Sequence, residues 1–159
     1  MTLNEAINEV NNLKPNMYGL PEKIKWLSRL DTRIFQTILL THELSDEEKE
    51  PFLPEQDEEE ETNDTSLAEW ALDLHRRYPD NEEELVFNGY TEDDIDKQLL
   101  VGEPYDEIYA LWLSAQIDWN NMEYESFNNT NAMYESVYNS FRNAFNATHR
   151  PKGNKKYYY

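Results

Sequence analysis

A chain of 159 residues with 33 Asp and Glu against 14 Lys and Arg has a formal net charge of −19, and its length fits one domain able to bury roughly two thirds of its unfolded surface. The absence of cysteine excludes disulfides, thiolate metal ligands and a thiol nucleophile, and agrees with a reducing cytosol. No run approaches the roughly 20 apolar residues of a bilayer span, and Met1 to Val10 lacks a signal peptide's basic and apolar regions, so a soluble, unexported chain is expected.

The charge is concentrated. Residues 43–97 hold 22 of the 33 acids but four of the 14 basic residues, a net −18, which leaves a nearly neutral remainder. Such density marks a solvated insertion in a helical body and disfavours nonspecific binding to nucleic acid or anionic membranes.

Thr2 and Glu5 have capping-box spacing, and Leu3, Ala6, Ile7, Val10 and Leu13 follow at helical intervals up to Lys14-Pro15. A second helix is predicted from Pro21 to about His42, with Ile24, Leu27, Leu30, Ile34 and Ile38 on one face and Lys23, Lys25, Arg29 and Arg33 as a basic flank. Glu43 to Thr65, with Pro51, Pro54 and the acidic run Asp57 to Glu61, reads as a long loop. Ser66 and Glu69 cap a short amphipathic helix through Leu67, Trp70, Ala71, Leu74 and Tyr78. Leu85-Val86-Phe87 is read as a short strand before the turn signal Asn88-Gly89.

Two long antiparallel helices, joined near Glu123, are predicted in the last third. Tyr105, Ile108, Trp112, Ala115, Trp119 and Met122 form one row, and Phe127, Thr130, Tyr134, Val137, Phe141 and Ala144 its counterpart. Second rows, Tyr109, Leu113 and Ile117 on one helix and Met133, Tyr138 and Phe145 on the other, require neighbours on a second side. The first two helices or another subunit would supply them, which makes Tyr109, Leu113, Trp112, Trp119, Tyr138 and Phe145 the subunit-contact candidates. After Thr148 the chain turns basic and ends in three tyrosines. The expected fold is thus all-α: a small bundle over 1–149 with an acidic insertion at 43–97, followed by an extended tail over 150–159.

Catalytic signatures are missing. Four glycines, at 19, 89, 102 and 153, cannot build a phosphate-cradling loop. The three histidines lack metalloprotease spacing and read as surface or capping residues, and the acidic runs lack the calcium-loop glycine. Carboxylate pairs are too abundant to signal glycoside hydrolysis. No enzyme activity, metal or cofactor is expected.

The stretches Leu3 to Val10, Lys23-Ile24-Lys25-Trp26-Leu27, Leu30-Asp31 and Arg33-Ile34 combine with Leu99-Leu100-Val101 and Pro104-Tyr105-Asp106-Glu107-Ile108-Tyr109. Further along stand Ala115-Gln116-Ile117-Asp118, Asn128, Met133 and Thr148-His149-Arg150-Pro151-Lys152-Gly153. Over roughly 1–42 and 98–153 this set resembles the small head-to-tail connector, or adaptor, proteins of tailed bacteriophages and their prophages. The resemblance implies a homo-oligomeric ring, usually of twelve subunits, in the virion neck. Such a ring, assembled in the host cytoplasm, sits between the portal protein and tail or neck proteins. Genomic DNA passes through it without sequence-specific binding, and no membrane is involved.

The acidic insertion departs from the shorter relatives. A flexible terminus grips the portal in this family, and the tail's lone positive charges and terminal tyrosines suit an acidic surface and a sheet edge. Arg150, Lys152, Lys155, Lys156, Tyr157, Tyr158 and Tyr159 are therefore the portal-binding candidates. The competing reading is an acidic DNA mimic that inhibits a host nuclease or restriction enzyme. It demands charges fixed on rigid elements, whereas these acids cluster in Pro-interrupted stretches.

Overall fold

The computed structural model describes residues 1–54 and 84–153. The helix expected over 66–78 lies outside the described residues, as do Lys155, Lys156, Tyr157, Tyr158 and Tyr159. The chain divides into two compact units, one made of Met1–Leu44 with Phe87–Tyr159 and the other of Ser45–Val86. Among the described residues the fold is all-α, with isolated bridges in place of strands.

In the larger unit, α1 spans Leu3–Leu13 and α2 spans Leu20–Ile34. The α1 capping box forms: Glu5 N donates to Thr2 Oγ1 at 3.2 Å, and Thr2 N donates to the Glu5 carboxylate at 2.7 Å. The next two first-turn amides, on Leu3 and Asn4, donate to the carbonyls of Lys97 and Ile95. Helix starts leave such donors unpaired, so residues 95–97 act as a cap supplied from far along the chain. This is why 87–97, acidic as it is, belongs to the helical body and not to the insertion. The smaller compact unit, Ser45–Val86, covers most of the acidic stretch expected over 43–97.

Helix α2 does not run unbroken to His42. It widens into a π turn over Phe35–Leu39, where Leu40 N donates to the Phe35 carbonyl at 2.9 Å. Thr37 and Thr41 turn their hydroxyls back onto the carbonyls of Arg33 and Thr37, a habit of Thr that loosens helices. The widened turn still buries Phe35, Ile38 and Leu39.

Helix α4 spans Ile108–Asn120 and α5 spans Tyr124–Thr148. Ring pairs Tyr105–Phe141, Trp112–Tyr134 and Trp119–Phe127, with centroids 5.2–6.0 Å apart, climb one segment as they descend the other. Helix α4 is apolar on all sides because it is central: Ile108, Tyr109, Leu113 and Ile117 are fully buried. They share one core with Leu3, Ala6 and Val10 of α1 and Leu27, Leu30 and Ile34 of α2.

In the smaller unit, part of the expected loop is ordered by a capping box that the acidic composition obscures. Ser45 Oγ accepts from Glu48 N, Glu48 accepts from Ser45 N at 2.8 Å, and the short helix α3, Asp46–Lys49, follows. A 3₁₀ turn, Glu50–Phe52, comes next. Leu85-Val86 form no strand: Val86 N makes a single ladder-like bond, to the Phe52 carbonyl at 2.8 Å.

Candidate functional site

Three features of the larger unit bear on function: the start of the tail, the end of the helix pair, and two buried carboxylates. The tail does not leave the body freely. Glu43 N donates to the Arg150 carbonyl at 2.8 Å, and Lys152 N donates to the Thr41 carbonyl at 2.9 Å. Between these bonds His42 and Pro151 form an antiparallel bridge. Pro suits that place because it has no amide to leave unpaired. Arg150 and Lys152, two residues apart on an extended segment, project to the same side, and both are exposed.

His42 anchors this pairing from inside. It is 9% exposed, its Nδ1 donates to the Ile38 carbonyl at 2.8 Å, and its ring meets Phe145 edge-on at 5.4 Å. Of the surface and capping roles expected for the histidines, His42 takes the second, as a buried helix-end cap. Phe145 also stacks on His149 at 3.8 Å, so the end of α5 is held where the tail begins.

The subunit-contact candidates separate into inner and outer groups. Tyr109 and Leu113 are fully buried within this chain, and as folded they present nothing to a second subunit. The first two helices cover their row. Trp112 is half-buried: its Nε1 donates to the Trp26 carbonyl at 2.9 Å, and the Arg33 guanidinium lies 5.5 Å over its ring. Tyr138 and Phe145 are partly buried against the core. Trp119, in contrast, is 54% exposed.

Trp119 belongs to an apolar end that the sequence rows only partly indicated. Met122, Tyr124 and Met133 are also exposed, and Trp119 packs on Tyr124 and Phe127 at 5.6 and 5.2 Å. Met122 has φ 61°, a left-handed conformation usually left to Gly or Asn. Tyr18 binds this turn through its hydroxyl, which donates to Asn121 at 2.9 Å, and Lys14 pairs with Asp118. Their neighbours Leu13 and Met17 are exposed as well. Leu13, read as the last member of the apolar row of α1, is thus exposed, and nothing in the spacing placed it or Met17 beside the α4–α5 turn.

The two buried carboxylates, Asp31 and Asp118, were not singled out by sequence. Asp31 accepts from the hydroxyls of Tyr90 at 2.5 Å and Tyr109 at 2.7 Å and from Leu100 N at 3.2 Å. Burial nevertheless pushes its carboxyl up to about 6, because desolvation outweighs the three donors. Burial first, and the nearby carboxylate second, raise both tyrosines above their ordinary value. Tyr109 also accepts from Val101 N at 2.8 Å, so one carboxylate ties the 90–101 segment to α2 and α4. Asp118 accepts from Ser126 and Thr130 and pairs with Lys14. The donors around these acids are protein groups from separate segments, an arrangement that fastens those segments together.

No helix among the described residues is long and apolar enough to cross a membrane. Comparisons with protein-family models, with characterised proteins and with solved structures return no match.

Proposed function

We propose that this chain is a structural virion protein, a head-to-tail connector whose copies form a ring beneath the portal and extend the DNA channel towards the tail. The observation that carries the reading is the uncovered aromatic end of the helix pair: Trp119, Met122 and Tyr124 are exposed, and Met122 keeps an apolar side chain in a backbone conformation that disfavours it. Strain and exposure retained together favour a contact over a solvated turn. Along α5 only Tyr134 is buried, which leaves Met133 and the half-covered Tyr138 for a lateral neighbour. The tail, paired to the body at 150–152, presents Arg150 and Lys152 outward and carries Lys155, Lys156 and Tyr157 to Tyr159 beyond them, a composition suited to an acidic portal surface. A net charge of −19 suits a channel along which phosphates slide without counter-charges to hold them.

Native mass spectrometry with the portal protein of the same genome tests this reading. A ring-sized particle holding many copies is expected. Trp119→Ser with Tyr124→Ser should leave a folded monomer that no longer forms the ring, and truncation after His149 should abolish portal binding while helicity persists. A chain that stays monomeric beside the portal, or pairs one-to-one with a nuclease, would refute it.

A further inference from the structure

Among the described residues, α2 carries a basic groove on an otherwise acidic chain. Lys25, Arg29 and Arg33 stand four residues apart along one side of the helix, and with Ser28, Thr32, Gln36, Asn88 and Gly89 they line a groove of about 490 Å³ without a carboxylate in its walls. The second wall is built in. Ser28 Oγ accepts from Tyr90 N at 2.9 Å, and Gly89, at φ 78°, passes so close that a Cβ there would lie 3.2 Å from Ser28 Cβ. Arg33 is pre-positioned by the Trp112 ring, over which its guanidinium lies at 5.5 Å. Lys23, which the sequence places in the same flank, is instead buried and spent on Asn11 and the Tyr18 carbonyl. Lys25 and Arg29 are exposed, and no carboxylate among the described residues lies within ion-pair distance of either. A smaller neighbouring pocket past Lys25, of about 320 Å³, is lined by Glu92, which bounds the positive stretch.

The spacing selects the ligand. Four residues of α-helix advance about 6 Å. In an extended peptide, side chains on one side recur about every 6.7 Å. Three cations and three alternate carboxylates therefore drift apart by only about 1.4 Å over the groove, within the reach of flexible Lys and Arg. A run of five consecutive acids supplies three such carboxylates, at its first, third and fifth positions, and the chain contains one, Asp57 to Glu61.

We infer that the α2 groove binds an extended acidic peptide, and that its occupant is the Asp57–Glu61 run of a second copy. The contact is heterologous, groove to run, and so links copies head to tail, the kind of contact that closes a ring. It thereby deepens the connector reading, although it requires self-association alone and no portal.

The test uses full-length chains with reversed charges. Sedimentation velocity at low salt should show the parent self-associating, and at about 0.5 M salt, where screening falls within several ångströms, that association should be lost. Lys25→Glu with Arg29→Glu, and separately Asp57→Lys with Glu59→Lys and Glu61→Lys, should each weaken self-association at least about tenfold with unchanged circular dichroism. An equimolar mixture of the two variants should restore it, because each then offers what the other lacks. A parent that remains monomeric at low salt, or a mixture that fails to associate, overturns the inference. So does a ten-nucleotide single strand that binds the parent and not the Lys25→Glu, Arg29→Glu variant, which would assign the groove to phosphates. If the swap fails while a ring still forms with portal, only the groove assignment falls. If the swap succeeds and no portal complex forms, the connector reading falls and the groove stands.

Discussion

Substituting Tyr109→Phe removes one oxygen that serves two partners. The hydroxyl donates to Asp31 Oδ1 at 2.7 Å and accepts from Val101 N at 2.8 Å, and all three residues are buried. The variant leaves a buried amide without a partner, at roughly 1 to 3 kcal/mol, and deprives a carboxylate of a charge-assisted bond worth roughly 1.5 to 3. Asp31 retains Tyr90 and Leu100 as donors and can take up a proton, so a net loss of about 3 kcal/mol is expected. For a chain of this size that corresponds to a melting point lower by roughly 6 to 12 °C. Urea titration at pH 7 followed by far-ultraviolet circular dichroism measures it, with Tyr105→Phe as a control expected to stay within about 0.5 kcal/mol. The pH dependence gives a second readout. The folded carboxyl, at about 6 against an ordinary 3.8, holds its proton more tightly than the unfolded one. The stabilisation from that proton is complete below about 3.8 and is lost as pH rises through about 6, a change of up to about 3 kcal/mol. Relative to Asp31→Asn, the parent should therefore gain stability on going from pH 7 to pH 4. If Tyr109→Phe matches the parent within 0.5 kcal/mol, the hydroxyl does not hold the 90–101 segment to the helices.

Lys14→Met leaves the fully buried Asp118 without its cation while Ser126 and Thr130 still donate to it, and a loss of about 2 to 4 kcal/mol in urea titration is expected, tempered by the partial exposure of Lys14. Recovery in Lys14→Met with Asp118→Asn would identify the unpaired charge as the cause, and its absence would point to lost packing. Deleting residues 55–64, a stretch nearly devoid of apolar side chains, should leave the far-ultraviolet spectrum of α1, α2, α4 and α5 and the melting point nearly unchanged. A collapse of the helical signal would show that the stretch is structural.

Helices α1, α4 and α5 were legible because their signals are local: the Thr2 and Glu5 capping box, the apolar spacing of three and four, and Lys14-Pro15 as a stop. Helix α3 was equally local, yet its Ser45 and Glu48 cap was hidden by reading the stretch through its charge. The end of α2 was misplaced because apolar spacing is nearly the same in an α-helix and in one π turn, and the distinction lies in where Thr37 and Thr41 direct their hydroxyls.

The candidate contacts were less legible than the helices. Apolar rows identify residues that need cover, but they do not say who supplies it: Tyr109 and Leu113 are covered within the chain, while Trp119 is not. Composition determined on its own that this is an acidic, cysteine-free, helix-patterned chain with its charge in the middle and a basic aromatic end, since these are sums over residues and need no geometry. Tertiary structure alone decided that Asp31, Tyr90, Leu100 and Tyr109 meet, that residues 95–97 cap α1, and that Lys23 is consumed while Lys25 and Arg29 stay exposed. Those pairings join residues far apart in the chain, and the desolvation and hydrogen-bond energies that make them matter exist only once packing has excluded water.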